Sequence, residues 1–318
     1  MIAAARLLRH ASIPAAGLTS GELAIARSVV YASLFDYPLT LAQLRQTLIE
    51  STQTPSQVLA AYNGSAALQE AIEFRDGFFF LKGRADLVEE RRRRETRSRA
   101  FLHRHRRFLQ FVAALPYVRM VALSGSIAHL NLEGTGDLDL FIVTRGRRVW
   151  STTVAVLLLA KLMRRRRVVC ANFVVADSRL VLEQQDLFAA SQVIHLKPLV
   201  GRDVFRDLLD KNPFVFRFYP NFHAADAASV TFRAARPLAW MKRVLETALK
   251  PLAPLAELVC RSAYRSYLRR RATTWQSPEQ VRLQADCLKL HTRSHRQSVL
   301  DRLEAGISDL RFQIEDSD

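Results

Sequence analysis

Two aspartates, Asp137 and Asp139, stand one residue apart in an otherwise oily run, "VALSGSIAHLNLEGTGDLDLFIVT" (121–144). Side chains on a strand alternate faces, so the two acids share one face while Leu138 and Leu140 take the other. Two neighbouring carboxylates repel, and partial burial raises the cost of ionising them. A divalent cation between them removes both penalties. Mg2+ binds one or two carboxylates and completes its shell with water and substrate phosphates. Upstream, Gly125-Ser126 supplies a second element. Glycine lets the backbone approach a ligand closely, and Ser126 opens a short helical stretch whose N–H groups face an anion. The pattern predicts that Gly125 and Ser126 hold nucleotide phosphates and that Asp137 and Asp139 hold Mg2+ or Mn2+. Ions so placed flank a transferring phosphorus and neutralise its oxygens.

The elements that must position these residues are legible. "YVRMVALSG" is an apolar, β-branched strand, "SIAHLNLEG" a short helix, "DLDLFIVT" a second strand and "RRVVCANFVVAD" (166–177) a third, with an oily helix at 147–164 between the last two. Before them, 22–35 has helical periodicity. Thr40 with Gln43 makes a capping box for a helix over 41–50. Thr54-Pro55 opens another helix, "PSQVLAAYNGSAALQEA". Asp76-Gly77 joins two short apolar runs into a hairpin within 71–84. Three short helices and a hairpin predict a winged helix. Its third helix has no Lys or Arg, and phosphate contacts need cations, so sequence-specific DNA binding is not expected of it. One long helix, 85–115, carries Arg91 to Arg94, Arg97, Arg99, Arg104, Arg106 and Arg107 and ends at Pro116. It reads either as a solvated face or as a basic wall beside an anion site or a track for nucleic acid. Residues 182–212 read as two helices broken at Pro198 and Gly201, 237–270 as basic and amphipathic, and 293–312 as a last helix.

"LSGSIAHLNLEGTGDLDLFIV" resembles the signature of the DNA polymerase β-like nucleotidyltransferase superfamily: apolar strand, Gly-Ser, about ten residues, then Asp-apolar-Asp-apolar on the neighbouring strand. The likeness is specific over roughly 119–144 and extends towards 166–177. With the N-terminal winged helix, the chain looks like an uncharacterised bacterial branch. The resemblance implies an α+β fold: a nucleotidyltransferase-type small mixed sheet flanked by helices, a winged-helix domain before it and a helical C-terminal domain after it. The divisions expected are 1–84, a basic connecting helix at 85–116, the core at 117–200 and the helical domain at 201–318. It implies transfer of a nucleoside monophosphate from a nucleoside triphosphate to an acceptor hydroxyl on a small molecule, protein or RNA. Gly125 and Ser126 would then touch the phosphates, with Asp137 and Asp139 the catalytic metal ligands. Active members carry a third acid on the next strand. Here that strand, "VVCANFVV", offers Asn172, an amide that can ligate a metal weakly but cannot act as a base. Either the enzyme works with two acids and a substrate-supplied or water base, or Asp177, Glu183 or Asp186 substitutes, or the site binds nucleotide or nucleic acid without turnover, as a regulatory module.

The remaining composition excludes more than it assigns. The formal net charge is +17, nearly all from arginine, which favours an anionic partner or simply a solvated surface. Arginines at 91–107 or 164–167 are the expected source of charge against phosphates. Cys170, Cys260 and Cys287 are far apart with no C-x-x-C pair, so no disulfide framework or structural zinc is indicated, and a cytoplasmic location is expected. The apolar run 149–163 is too short to span a bilayer. The first residues lack acids and carry Arg6 and Arg9, but Pro14 argues against a secretory signal. His129 is either a packing group or close to the phosphate site. His103 and His105 read as solvated, His195 and Lys197 as a helix end, and His291 with His295 as no metal pattern.

Overall fold

The computed structural model describes residues 18–134, 136–227, 236–290, 296–303 and 305. The N-terminal stretch with Arg6 and Arg9, the group His291, Arg293 and His295, and most of the expected last helix lie outside them. Of that helix, 296–303 is helical.

The first unit runs α1 (Ser20–Ser33), β1 (Leu39–Thr40), α2 (Leu41–Gln46), α3 (Pro55–Gly64), α4 (Ala66–Ala71), β2 (Ile72–Arg75) and β3 (Phe78–Leu81). Its helix starts follow from local chemistry. Thr19, Thr40 and Thr54 each accept from the backbone three residues on, and Glu22, Gln43 and Gln57 reach back to close capping boxes. Asp76 and Gly77 both take positive φ, so the hairpin turns where expected. The strands form a small antiparallel sheet in the order β1-β3-β2. The single helix expected after Pro55 is two, because Ser65 turns extended and its hydroxyl caps α4.

The long helix α5 (Asp86–Ala113) is one 28-residue rod, about 42 Å at 1.5 Å per residue. Val88, Arg91, Arg94, Ser98, Leu102, His105, Phe108, Leu109 and Val112 form its buried stripe. Then follow β4 (Val118–Ser124), the single turn α6 (Gly125–Ala128), β5 (Leu138–Thr144), α7 (Val149–Leu162), β6 (Val169–Ala176), α8 (Leu187–Ile194), β7 (Lys197–Val200), α9 (Arg202–Asp210), α10 (Phe214–Phe218), α11 (Arg236–Leu249), α12 (Ala253–Arg270), β8 (Val281–Leu283) and β9 (Cys287–Leu290). Six strands make a mixed sheet in the order β7-β4-β5-β6-β9-β8, in which β5 and β6 run parallel and every other pair is antiparallel. The protein is therefore α+β, with one six-stranded mixed sheet and one three-stranded antiparallel sheet.

Two expectations need correcting. Residues 197–200, read as part of a helical region, form β7: Pro198 cannot continue a helix, and the short apolar run pairs with Ala122 and Leu123 instead. Nor is the segment 201–318 all helical, since β8 and β9 add two strands beyond β6.

Each face of the large sheet has its own core. Val121, Leu123, Leu138, Leu140, Ile142 and Val174 pack with Phe108, Val112 and Trp150 of α5 and α7. Met120, Ala122, Phe141, Val143 and Val175 pack with α8, α9 and, through one continuous cluster, with the N-terminal unit. α12 is tied to the first face by Glu257. This buried carboxylate accepts from Trp150 N and Ser151 N at 2.9 Å each and from the Ser151 hydroxyl at 2.5 Å, capping the uncapped start of α7. Glu257→Ala leaves those donors unsatisfied and should lower unfolding stability by about 2–3 kcal/mol. Urea denaturation checks this, with Glu257→Gln expected to retain part of the stability.

Candidate phosphate and metal site

The site is built where β4 ends beside the start of β5. Ser124 is the cross-strand partner of Asp139, so the chain leaves β4 level with that carboxylate. Gly125 turns it with φ of +62°, and a Cβ there would lie 2.5 Å from Asp139 Oδ2. Only glycine fits both the backbone angle and the space. Ser126 follows, exposed, in a turn whose first residues no side chain caps. Asp137 lies just ahead of β5 and is exposed, while Asp139 is part-buried, with Leu138 and Leu140 fully buried on the opposite face. The structure thus brings Gly125, Ser126, Asp137 and Asp139 together at one end of the sheet.

Asn172 joins them through an irregularity the sequence does not announce. The β5–β6 register shifts between the pairs Asp139–Cys170 and Phe141–Phe173, so two residues of β6 oppose one of β5. Ala171 and Val174, three apart, both pack on the back face, which leaves Asn172 and Phe173 both facing forward. Such a bulge re-aims a side chain. Here it lets Asn172 Nδ2 donate to Asp139 Oδ1 at 3.0 Å.

Burial pushes the Asp139 carboxyl up to about 6, and the charge of Asp137 adds to the rise, while the Asn172 hydrogen bond pulls the other way. Burial and the two aspartates also push the Cys170 thiol up to about 11, so it stays protonated. Among the described residues no group of three His, Cys, Asp or Glu side chains is placed to share a metal. Two carboxylates on one face, one of them made harder to ionise by burial and by the other's charge, nonetheless fit a hard cation that draws its other ligands from water and phosphate.

The expected third acids do not reach Asp139. Asp177 sits at the far end of β6, where it accepts from Gly146 N and pairs with Arg119. Asp186 caps α8 and pairs with Arg296. Glu183 pairs with Arg179 and Arg282.

The arginines are also placed differently from expectation. Arg91 Nη1 donates to Leu130 O, Arg97 Nη1 donates to Leu132 O, and Arg94 pairs with Glu133 at 3.0 Å. Ser98 Oγ, on the same stripe of α5, accepts from Leu132 N. These arginines hold the loop between the phosphate turn and the aspartates. Neither the 91–107 run nor the 164–167 run lines the cavity in front of Asp139. Arg166 alone of the second run lies near enough to Cys170 to favour its thiolate.

That cavity, about 450 Å3, runs from Ser124, Gly125, Ser126, Asp139 and Asn172 over Phe141 and Phe173 to a cationic rim at Arg179, Arg282, Lys289 and Arg296. Sequence reading missed the rim, because its members lie on a loop, on β8, on β9 and in the segment 296–303. Only the alternation in "CLKL" hints that Lys289 faces inward. Lys289 Nζ donates to Gln184 Oε1 at 3.0 Å and to Gln280 Oε1 at 3.4 Å, above the Phe173 ring, and burial with Arg282 nearby lowers its pKa.

No histidine among the described residues lines this cavity. His129 and His195 stack with ring centroids 4.1 Å apart, and Tyr37 packs edge-on against His129. Burial lowers both imidazoles, His195 to about 4, so the pair is neutral packing at the joint with the N-terminal unit. His105 bonds Phe101 O within α5.

Asp139 gives the site a pH signature. Its ordinary value is 3.8 and its folded value about 6, so between these the native chain holds more protons than the unfolded one. Without divalent cations, stability should fall as pH rises from about 4 to 6, by at most about 3 kcal/mol. Asp139→Asn should flatten that slope in urea titrations with chelator present. No family model, curated protein or solved structure matches the chain.

Proposed function

We propose that the protein is an Mg2+-dependent nucleotidyltransferase of the DNA polymerase β-like kind, moving a nucleoside monophosphate from a nucleoside triphosphate to an acceptor hydroxyl. The observation that carries the reading is the contact of the Gly125 backbone with the Asp139 carboxylate at the ends of paired strands, both facing one cavity. A phosphate beside Gly125 and Ser126 would sit next to Asp139, one of the two carboxylates that would hold a metal. When bound, the metal would supply charge neutralisation at the transferring phosphorus.

The chain's own residues would do the following. Gly125 leaves room for the phosphate, and the Ser126 hydroxyl donates to it. Asp137 and Asp139 would hold the cation, whose charge would offset the burial that disfavours the Asp139 carboxylate. Asn172 holds Asp139 Oδ1 in one rotamer. At the far end of the cavity Arg179, Arg282 and Arg296 are largely offset by Glu183, Asp286 and Asp186, so Lys289 would supply most of the positive potential there. The finer fold reading rests on the same footing. The order helix, strand, three helices, hairpin with sheet order β1-β3-β2 supports a winged helix. The strands β4 to β6 around the Gly-Ser turn support a transferase core.

One observation favours a second reading, nucleotide binding without turnover. Asn172 occupies the place where a base would stand, and it donates to Asp139 instead of accepting a proton. Incubation with α-labelled nucleoside triphosphates, Mg2+ and a lysate as acceptor source separates the two. Transfer and pyrophosphate release are expected from the wild type, and a loss of about a thousandfold from Asp137→Ala with Asp139→Ala. Transfer that survives the double change would remove these residues from the chemistry. Tight binding of Mg2+ and nucleotide with no release would instead favour the binding module. Asn172→Asp adds a ligand where the bulge aims it. Mn2+ titration should show about tenfold tighter binding in that variant.

A further inference from the structure

Helices α11 and α12 are turned inside out. On α11 the polar groups face the protein: Lys242 Nζ bonds the carbonyls of Ala113 and Val118, and Glu246 accepts from Tyr117 N at 2.8 Å and pairs with Arg145. The apolar stripe Trp240, Met241, Val244, Leu245 and Leu249 faces outward, with Trp240 70% exposed. The connection adds Leu252, and α12 continues the pattern with Leu255, Leu258 and Val259, each near 60% exposed. Contiguous apolar surface of this kind on a folded chain marks a partner.

The charges say which partner. Over 236–271 the sequence has two acids, Glu246 and Glu257, and both are turned into the protein. The outward flanks carry cations, among them exposed Arg243, Lys250, Arg269 and Arg270. A second copy would bring like charge against like, on a chain of formal net charge +17. Nucleic acid would satisfy the cations and leave the leucines in water. An anionic lipid surface answers both: acyl chains take the apolar stripe, headgroups take the flanking cations, and a tryptophan sits at the boundary. No helix among the described residues is long and apolar enough to cross a membrane. We propose that α11 and α12 lie on the surface of an anionic bilayer through Trp240, Leu245, Leu255 and Leu258, flanked by Arg243 and Lys250.

The test uses the full chain with phosphatidylcholine vesicles, with and without phosphatidylserine. Sedimentation with the serine lipid is expected, weakening as salt rises. Replacing Trp240, Leu245, Leu255 and Leu258 together by serine should lower the partition coefficient by about tenfold or more. Arg243→Glu with Lys250→Glu should abolish the preference for the anionic lipid. Brominated phosphatidylcholine mixed into the anionic vesicles should quench tryptophan emission in the wild type, and Trp240→Phe should remove the quenched component. This arm does not depend on the fourfold variant folding. Equal sedimentation of wild type and fourfold variant, or no quenching, overturns the proposal. A dimer seen by light scattering without vesicle binding also overturns it and gives the face to a second copy. Neither vesicle binding nor self-association overturns it in favour of a protein partner.

Discussion

The close approach of the Gly125 backbone to the Asp139 carboxylate is the constraint around which the rest is arranged. It places a turn that can face phosphate within touching distance of an acid that burial keeps partly protonated. Such an arrangement is costly in isolation. Gly125 adopts a backbone angle few residues tolerate, and Asp139 loses hydration without gaining a cation from the protein. The surrounding sheet over-determines both: β4 pairs on each side, β5 is buried on its reverse face, and the bulge in β6 supplies one amide donor.

The loop joining the two halves of the site must return in about ten residues, and here the arginines of α5 find their use. Arg91, Arg94, Arg97 and Ser98 lie along one stripe and bind Leu130, Asn131, Leu132 and Glu133. Arg91 also lies over the Tyr37 ring and bonds its hydroxyl, and that hydroxyl donates to His129 O. Asn131 in turn donates to Phe35 O. The N-terminal unit is thus fastened to the loop and not merely tethered by sequence. A cation that loses its water in this way needs several acceptors, and backbone carbonyls at a loop provide them.

What was legible in the sequence was what local chemistry decides. The alternation of Asp137, Leu138, Asp139 and Leu140 gives their faces directly. Thr40 with Gln43 and Asp76-Gly77 fix a helix start and a turn within four residues. What was not legible depends on partners far away in the chain. β7 and β9 are four residues each, too short to show a period, and become strands only by pairing with β4 and β6. Asn172 is in plain view as the residue standing where an acid was expected, but the bulge that aims it is a property of two strands together. The arginine run on α5 misleads for the same reason: its density suggests a track for nucleic acid, while Arg91 and Arg94, with Ser98, fall on the buried stripe.

Strand β9 has a bearing on how the molecule is made. It seals the edge of β6 that would otherwise lie open, and it brings Lys289 to the cavity, yet it is among the last described segments of the chain. Sheet strands up to β7 can pair while the ribosome is still extending the C-terminal third. The rim cannot be complete until residues 281–290, and Arg296 after them, have emerged and docked. Order of synthesis therefore withholds a finished pocket from the nascent chain, and β9, added late beside β6, is the strand that closes it.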